Sequence, residues 1–162
     1  MKLKQIIVGS ILVCVSSAAT EVKAQMKEMS SDHIMALPSD IKWGDAPPAL
    51  PPGAKAAVIE GDPRVAGLFT MRIKVPAGYK IMPHWHPADE HVTVLEGSCY
   101  MGLGDKLDEK AATEMPTGAF AVMKTGTHHY FFANKECTIQ LHGIGPWGIT
   151  YVNAADDPRN KK

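Results

Sequence analysis

An antiparallel all-β barrel or sandwich is the fold this sequence predicts, and three observations carry the prediction. Eight short strand-like runs recur between residues 56 and 152. Glycines and prolines punctuate them at short intervals. The one helical suggestion, residues 107–114 with Asp108, Glu109 and Lys110, is short and reads as an exposed turn.

In chain order, residues 1–24 read as a secretory signal peptide. Lys2 and Lys4 form a basic start, Ile6 to Val15 an apolar run, and Val22-Lys23-Ala24 a cleavage-like site, with Ala19 as the alternative. The run is too short to span a bilayer. Val13 stands before Cys14 where a lipoprotein has a small residue, which argues against a lipid anchor. Residues 25–55 form an N-terminal extended segment. Its first part, 25–40, is polar and Met-rich, and His33 within it reads as solvated. Residues 43–53 hold four prolines, which forbid helix and favour a strap. The barrel is expected over 56–153, with strands at 56–60, 67–75, 90–96, 99–103, 118–123, 129–133, 138–143 and 150–152, and a tail over 154–162.

Without residues 1–24 the chain has 138 residues, enough for one domain, with 14 basic and 16 acidic side chains. No basic stripe appears, which disfavours nucleic acid as a partner. No further segment is apolar enough to enter a membrane. Export puts the protein in the periplasm or outside the cell, where a Cys99–Cys137 disulfide is permitted. A domain of this size does not need one, so buried free thiols are the other reading.

The chemistry concentrates between Gly78 and Gly97. In a strand, His84 and His86 point one way and Trp85 the other. Pro87-Ala88-Asp89 reads as a turn, after which Glu90 opens an alternating apolar strand, and an antiparallel return sets Glu90 across from the histidine pair. Two imidazoles and a carboxylate make three sides of a metal site. Downstream, Thr125-Gly126-Thr127 turns into a strand carrying His128 and His129. Only one of these points inward, and periodicity does not choose between them.

These segments resemble a small single-domain cupin. The family's first motif is a glycine, five residues, His-x-His, three or four residues, a glutamate, six residues and a glycine. Gly78, His84, His86, Glu90 and Gly97 fit it without a gap. Gly118, Gly126 and His129 match the second motif, which implies His129 as the fourth ligand. Lys124 stands where that motif has proline, and Ala133 where it has asparagine, with Asn134 one place later. The resemblance implies a double-stranded β-helix, or jelly-roll, and a metal held by His84, His86, Glu90 and His129. Three imidazoles and a carboxylate suit one divalent transition ion, Mn²⁺, Fe²⁺, Ni²⁺, Cu²⁺ or Zn²⁺. An octahedral arrangement leaves two positions for water, dioxygen or a bidentate substrate. It also implies pairing of barrels through edge strands, so a homodimer is an expectation, although the strap over 47–52 offers to cover an edge within one chain.

By strand parity His91 faces away from Glu90, and His128 away from His129. Phe131 shares the face of His129, while Val92 and Val94 share that of Glu90. Such a lining suits a small organic acid or phenol, although most of these residues would fill a barrel core in any case. If Gln140 and His142 face inward they join Phe131 as substrate-binding candidates. If outward, Ile139 and Leu141 fill the core instead. Three functions compete: a metal-dependent enzyme on a small organic molecule (oxygenase, decarboxylase or isomerase), a non-catalytic holder of a metal or small ligand in the cell envelope, and an assembly barrel. The complete ligand set counts against the last.

Overall fold

Two antiparallel sheets pack face to face with their apolar sides inward. The computed structural model describes residues 33–161. The expected leader and residues 25–32 lie outside the described residues, and His33, the first described, is exposed.

Among the described residues the strands are β1 (Gly44–Asp45), β2 (Lys55–Glu60), β3 (Gly67–Val75), β4 (Tyr79–Trp85), β5 (Glu90–Glu96), β6 (Ser98–Leu103), β7 (Thr113–Pro116), β8 (Phe120–Met123), β9 (His129–Ala133), β10 (Cys137–Gly145) and β11 (Thr150–Tyr151). One sheet has the order β1-β2-β3-β10-β5-β8, the other β11-β4-β9-β6-β7. This is the expected all-β jelly roll. Three strands, β3, β5 and β9, keep the bounds read from sequence, and the other expected strands differ from theirs only at the ends.

Alternation explains the interior. Phe69, Met71, Ile73 and Val75 of β3 are buried, while Thr70, Arg72 and Lys74 between them are half-buried. Val92 and Val94 of β5 and Ile139 and Leu141 of β10 join them from the same sheet. Tyr79, Ile81, Met101, Phe131 and Ala133 meet them from the other. β9 is buried along its whole length. Its outer face is covered where the Tyr130 hydroxyl donates to Asp108 O at 2.8 Å and Phe132 stacks on Tyr100.

One reading is borne out in part and one is corrected. Residues 107–112 hold the expected exposed turn, which Asp108 closes through Lys110 N and Ala111 N. The chain then enters β7, whose Met115 pairs with Cys99 and is buried. Strand pairing overrides the helical suggestion because a single turn of helix cannot bury an apolar face there. The correction is that β5 is not the antiparallel return of β4. The chain crosses between sheets at 87–89, so β4 pairs with β9 and β11, and β5 with β10 and β8.

The proline-rich segment between β1 and β2 is not an extended strap but folds through two turns, the first closed by Leu50 N donating to Pro47 O at 2.9 Å. Tyr151 Oη donates to Ala49 O at 2.8 Å and Tyr79 Oη to Pro51 O at 2.7 Å, which seat Leu50 in the core. Cys99 and Cys137 are free, buried thiols. No helix among the described residues is long and apolar enough to cross a membrane.

Candidate metal centre

A β-bulge aims the first histidines. In the β4–β9 pairing Ile81 faces Phe131 and His84 faces His129, so β4 holds one extra residue at Met82–Pro83. That insertion resets the parity, bringing Ile81, His84 and His86 to the same cavity. His129 meets them from β9, directly across from His84. Glu90 arrives from the opposite sheet, at the head of β5. The site is thus closed between two sheets and not on two neighbouring strands.

Loop contacts hold this geometry. Gly126 N donates to His86 O at 3.0 Å, while Thr125 N and Oγ1 donate to Asp89 Oδ1 and Lys124 Nζ to Asp89 Oδ2. Gly126 sits at φ +74°, the left-handed region that glycine enters without a Cβ penalty. Lys124, where the family motif has proline, therefore serves the loop through its ammonium group.

The ring tautomers follow from the backbone. His84 Nδ1 lies 2.8 Å from Met82 O, His86 Nδ1 2.7 Å from Gly148 O, and His129 Nδ1 2.9 Å from Thr127 O. A carbonyl oxygen only accepts, so each Nδ1 carries the proton and donates it. In the neutral rings every Nε2 is left as a bare lone pair. Candidate ligand atoms of the three rings lie within 4.8 Å of one another, and all three residues are buried. His86 Nε2 is 3.3 Å from Glu90 Oε2, yet it is buried without a hydrogen-bond partner. His129 Nε2 is 3.8 Å from the same oxygen. A buried unpartnered nitrogen costs stability unless something takes its lone pair. The donor set fits a divalent transition ion held by His84, His86 and His129 with Glu90 beside them.

Burial and mutual charge set the protonation. Burial, then repulsion from His129 and His86, pulls His84 down to about 3. Burial likewise lowers His129. Burial works against a charged His86 too, but the nearby Glu90 charge outweighs it and raises the ring above its usual range. Burial alone would push Glu90 up; the charge of His86, with help from the other rings, holds it at about 2 instead. Without metal, Glu90 is held ionised among the rings, and burial disfavours the charged forms of His84 and His129.

The remaining walls are apolar: Leu50, Ile73, Ile81, Val92, Met101 and Phe131, with Ile139, Leu141, Trp147 and Ile149. They enclose a cavity of about 30 Å³, room for one or two waters. Phe131, Val92, Ile139 and Leu141 face it as parity implies. Gln140 and His142 do not. They lie on the outer face of β10, where Gln140 Oε1 accepts from Arg72 Nε at 3.1 Å and His142 meets His91, so the outward alternative is the one the structure takes. His128 points outward and pairs with Asp105 at 2.6 Å.

One neighbour was missed by sequence reasoning. Trp147 stacks on His86, with ring centroids 5.2 Å apart and planes at 21°, and its Nε1 donates to Glu90 Oε1 at 3.0 Å. It lies in the Gly145–Thr150 loop, which has neither strand parity nor a motif to announce it.

The family model described as "Domain of unknown function (DUF4437)", a cupin-like family, matches residues 6–147, and the chain belongs to that family. No curated protein matches it. Among solved structures it is similar to the polyketide cyclase RemF from Streptomyces resistomycificus, with a TM-score of 0.65 and 18% identity over 78% of this chain and 89% of that one. An RmlC-like cupin from Ralstonia eutropha JMP134 gives 0.58 at 18% identity, over 80% and 78% of the two chains. One from Shewanella frigidimarina NCIMB 400 gives 0.54 at 12%, over 70% and 91%. These likenesses establish the fold, a cupin jelly roll.

Proposed function

We propose that this cupin is a metal-dependent enzyme acting on a small organic molecule, its one divalent transition ion held by His84, His86, His129 and Glu90. The observation that carries this reading is the set of three Nδ1–H donors tied to backbone carbonyls, which commits three Nε2 lone pairs to one buried point. A bound ion would supply Lewis acidity and exchangeable coordination positions. The chain's own residues do the rest. Glu90 balances charge, Trp147 orients Glu90, and the apolar walls exclude bulk water. A substrate larger than a few atoms exceeds the cavity, so part of its wall must yield to admit one. That one similar structure is a polyketide cyclase is consistent with an enzyme but decides nothing at 18% identity.

A second reading, a non-catalytic metal holder, is favoured by one observation. Among the described residues, the cavity wall offers no ionisable side chain beyond the four candidate ligands. Under either reading the chain is exported and loses residues 1–24, which intact mass of the mature protein would check.

The test is elemental analysis of untagged protein from the exported fraction, beside a His84→Ala/His129→Ala variant. Near-stoichiometric metal in the native protein, absent from the variant, is the expected result. A native protein that holds no metal and takes up none would overturn both readings. Metal binding without turnover across carboxylate, phenol and carbonyl substrates would leave the holder standing.

A further inference from the structure

We infer that the outer face of the six-stranded sheet carries a second cation site, formed by His91 of β5 and His142 of β10, for a borderline divalent ion such as Ni²⁺, Cu²⁺ or Zn²⁺. The two residues are direct cross-strand partners in the β5–β10 ladder. His91 Nδ1 lies 3.1 Å from His142 Nε2, with ring centroids 4.8 Å apart and planes at 74°. In this arrangement one imidazole donates its proton to the other. The spacing of the two nitrogens already suits an ion in place of that proton, once the rings turn toward it. Two metal–nitrogen bonds of about 2.1 Å set their nitrogens about 3.0 Å apart at a right angle and about 3.4 Å apart at the tetrahedral angle. The observed separation lies between these.

The surroundings support a built pair. Two ladders position the backbones, and the side chains are half-buried. The ring of Phe120 stands at 89° to His91, with centroids 6.0 Å apart. Thr70 is the next residue of the same cross-strand row, and its hydroxyl donates to Glu60 Oε2 at 3.1 Å, which adds an anionic group one strand further along. The nearest cation in the neighbouring row, Arg72, is engaged by Gln140. Imidazole pairs select borderline ions over Mg²⁺ and Ca²⁺. With only two protein ligands, this site binds more weakly than the buried centre. Because His91 follows Glu90 and faces the opposite side of β5, the two sites share no ligand and fail independently.

The experiment is calorimetric titration of untagged, metal-stripped protein with Ni²⁺. Two classes of site are expected. His91→Ala and His142→Gln each remove the weaker class and keep the tight one, while His84→Ala/His129→Ala does the reverse. In that double variant, paramagnetic Ni²⁺ broadens the His91 and His142 ring resonances first. The proposal is overturned if native protein shows no weaker class, if that class survives both outer variants, or if it disappears with His128→Ala instead.

Discussion

Five histidines fall on β4, β5, β9 and β10 or the residue just after β4, and they divide by the face they take. His84, His86 and His129 point between the sheets, each with Nδ1 donating to a carbonyl. His91 and His142 point outward, and their ring nitrogens meet each other. On β5 a single step from Glu90 to His91 separates a buried carboxylate from a half-exposed ring. Parity decides which face a side chain takes. What the backbone does with Nδ1 decides whether the ring arrives with its lone pair already aimed. The inner group is pre-organised by fixed carbonyls, whereas the outer pair is organised only by its partner.

The largest effect should come from breaking the inner group. His86→Ala removes one Nε2 and the partner of the Glu90 charge, so metal retained through desalting should fall to background. Retention near the native level would show that the inner rings do not act together. Next in size is the acid response of the metal-stripped protein. An unfolded histidine titrates near 6.5, whereas His84 is held down to about 3 and His129 is also lowered. Below pH 6.5 the unfolded chain therefore binds protons that these two folded rings refuse. Each costs stability at up to about 1.4 kcal/mol per pH unit as pH falls. Raised His86 has the opposite sign: its contribution is present below 6.5 and is lost as pH climbs through its folded value. His84 and His129, joined by Glu90 as pH falls from 4.5 toward about 2, form the acid limb and His86 the alkaline one, which predicts a maximum near pH 6.5 with a steeper acid limb in urea titrations that His84→Asn should flatten. An acid limb as steep in His84→Asn as in the native chain would refute the assignment.

Much of this site was legible in the sequence because it rests on short-range rules. Period-two alternation puts His84 with His86 and Glu90 with Val92, and the resemblance of Gly118 and Gly126 to the cupin second motif singles out His129 from His128. The same alternation puts Gln140 and His142 on the face opposite Ile139 and Leu141 without choosing which pair turns inward, and the packing of the two sheets makes that choice. Long-range facts left no such trace. Nothing local says that residues 87–89 cross between sheets, because a tight turn and a crossover share the same Pro-Ala-Asp punctuation. The bulge at Met82–Pro83 and the approach of Trp147 to Glu90, 57 positions away, depend on how the sheets pack. Local composition gave the exposed turn within 107–112, whereas the pairing of 113–116 with β6 is a long-range fact that composition does not carry.

The comparison is sharpened by perturbing the surroundings of the inner group without touching a ligand. Trp147→Phe keeps a ring to stack on His86 but deletes the donor to Glu90 Oε1. Losing such a support around a metal ligand typically weakens binding about 10- to 100-fold, measurable by competition with a chelator. An unchanged affinity would mean that Glu90 is positioned by the sheet alone.

The smallest effect is expected outside. His91→Ala removes a half-exposed hydrogen bond worth about 1 kcal/mol or less and no core contact, so urea midpoints should move little. Metal retained by the inner group should not change. The two faces of β5 are only one residue apart, and this substitution asks whether they are also energetically separate. Loss of inner metal in His91→Ala would show that strain passes through the strand from His91 to Glu90. Retention would show that alternation isolates the two faces, leaving the buried group to be set by its carbonyls, Glu90 and Trp147.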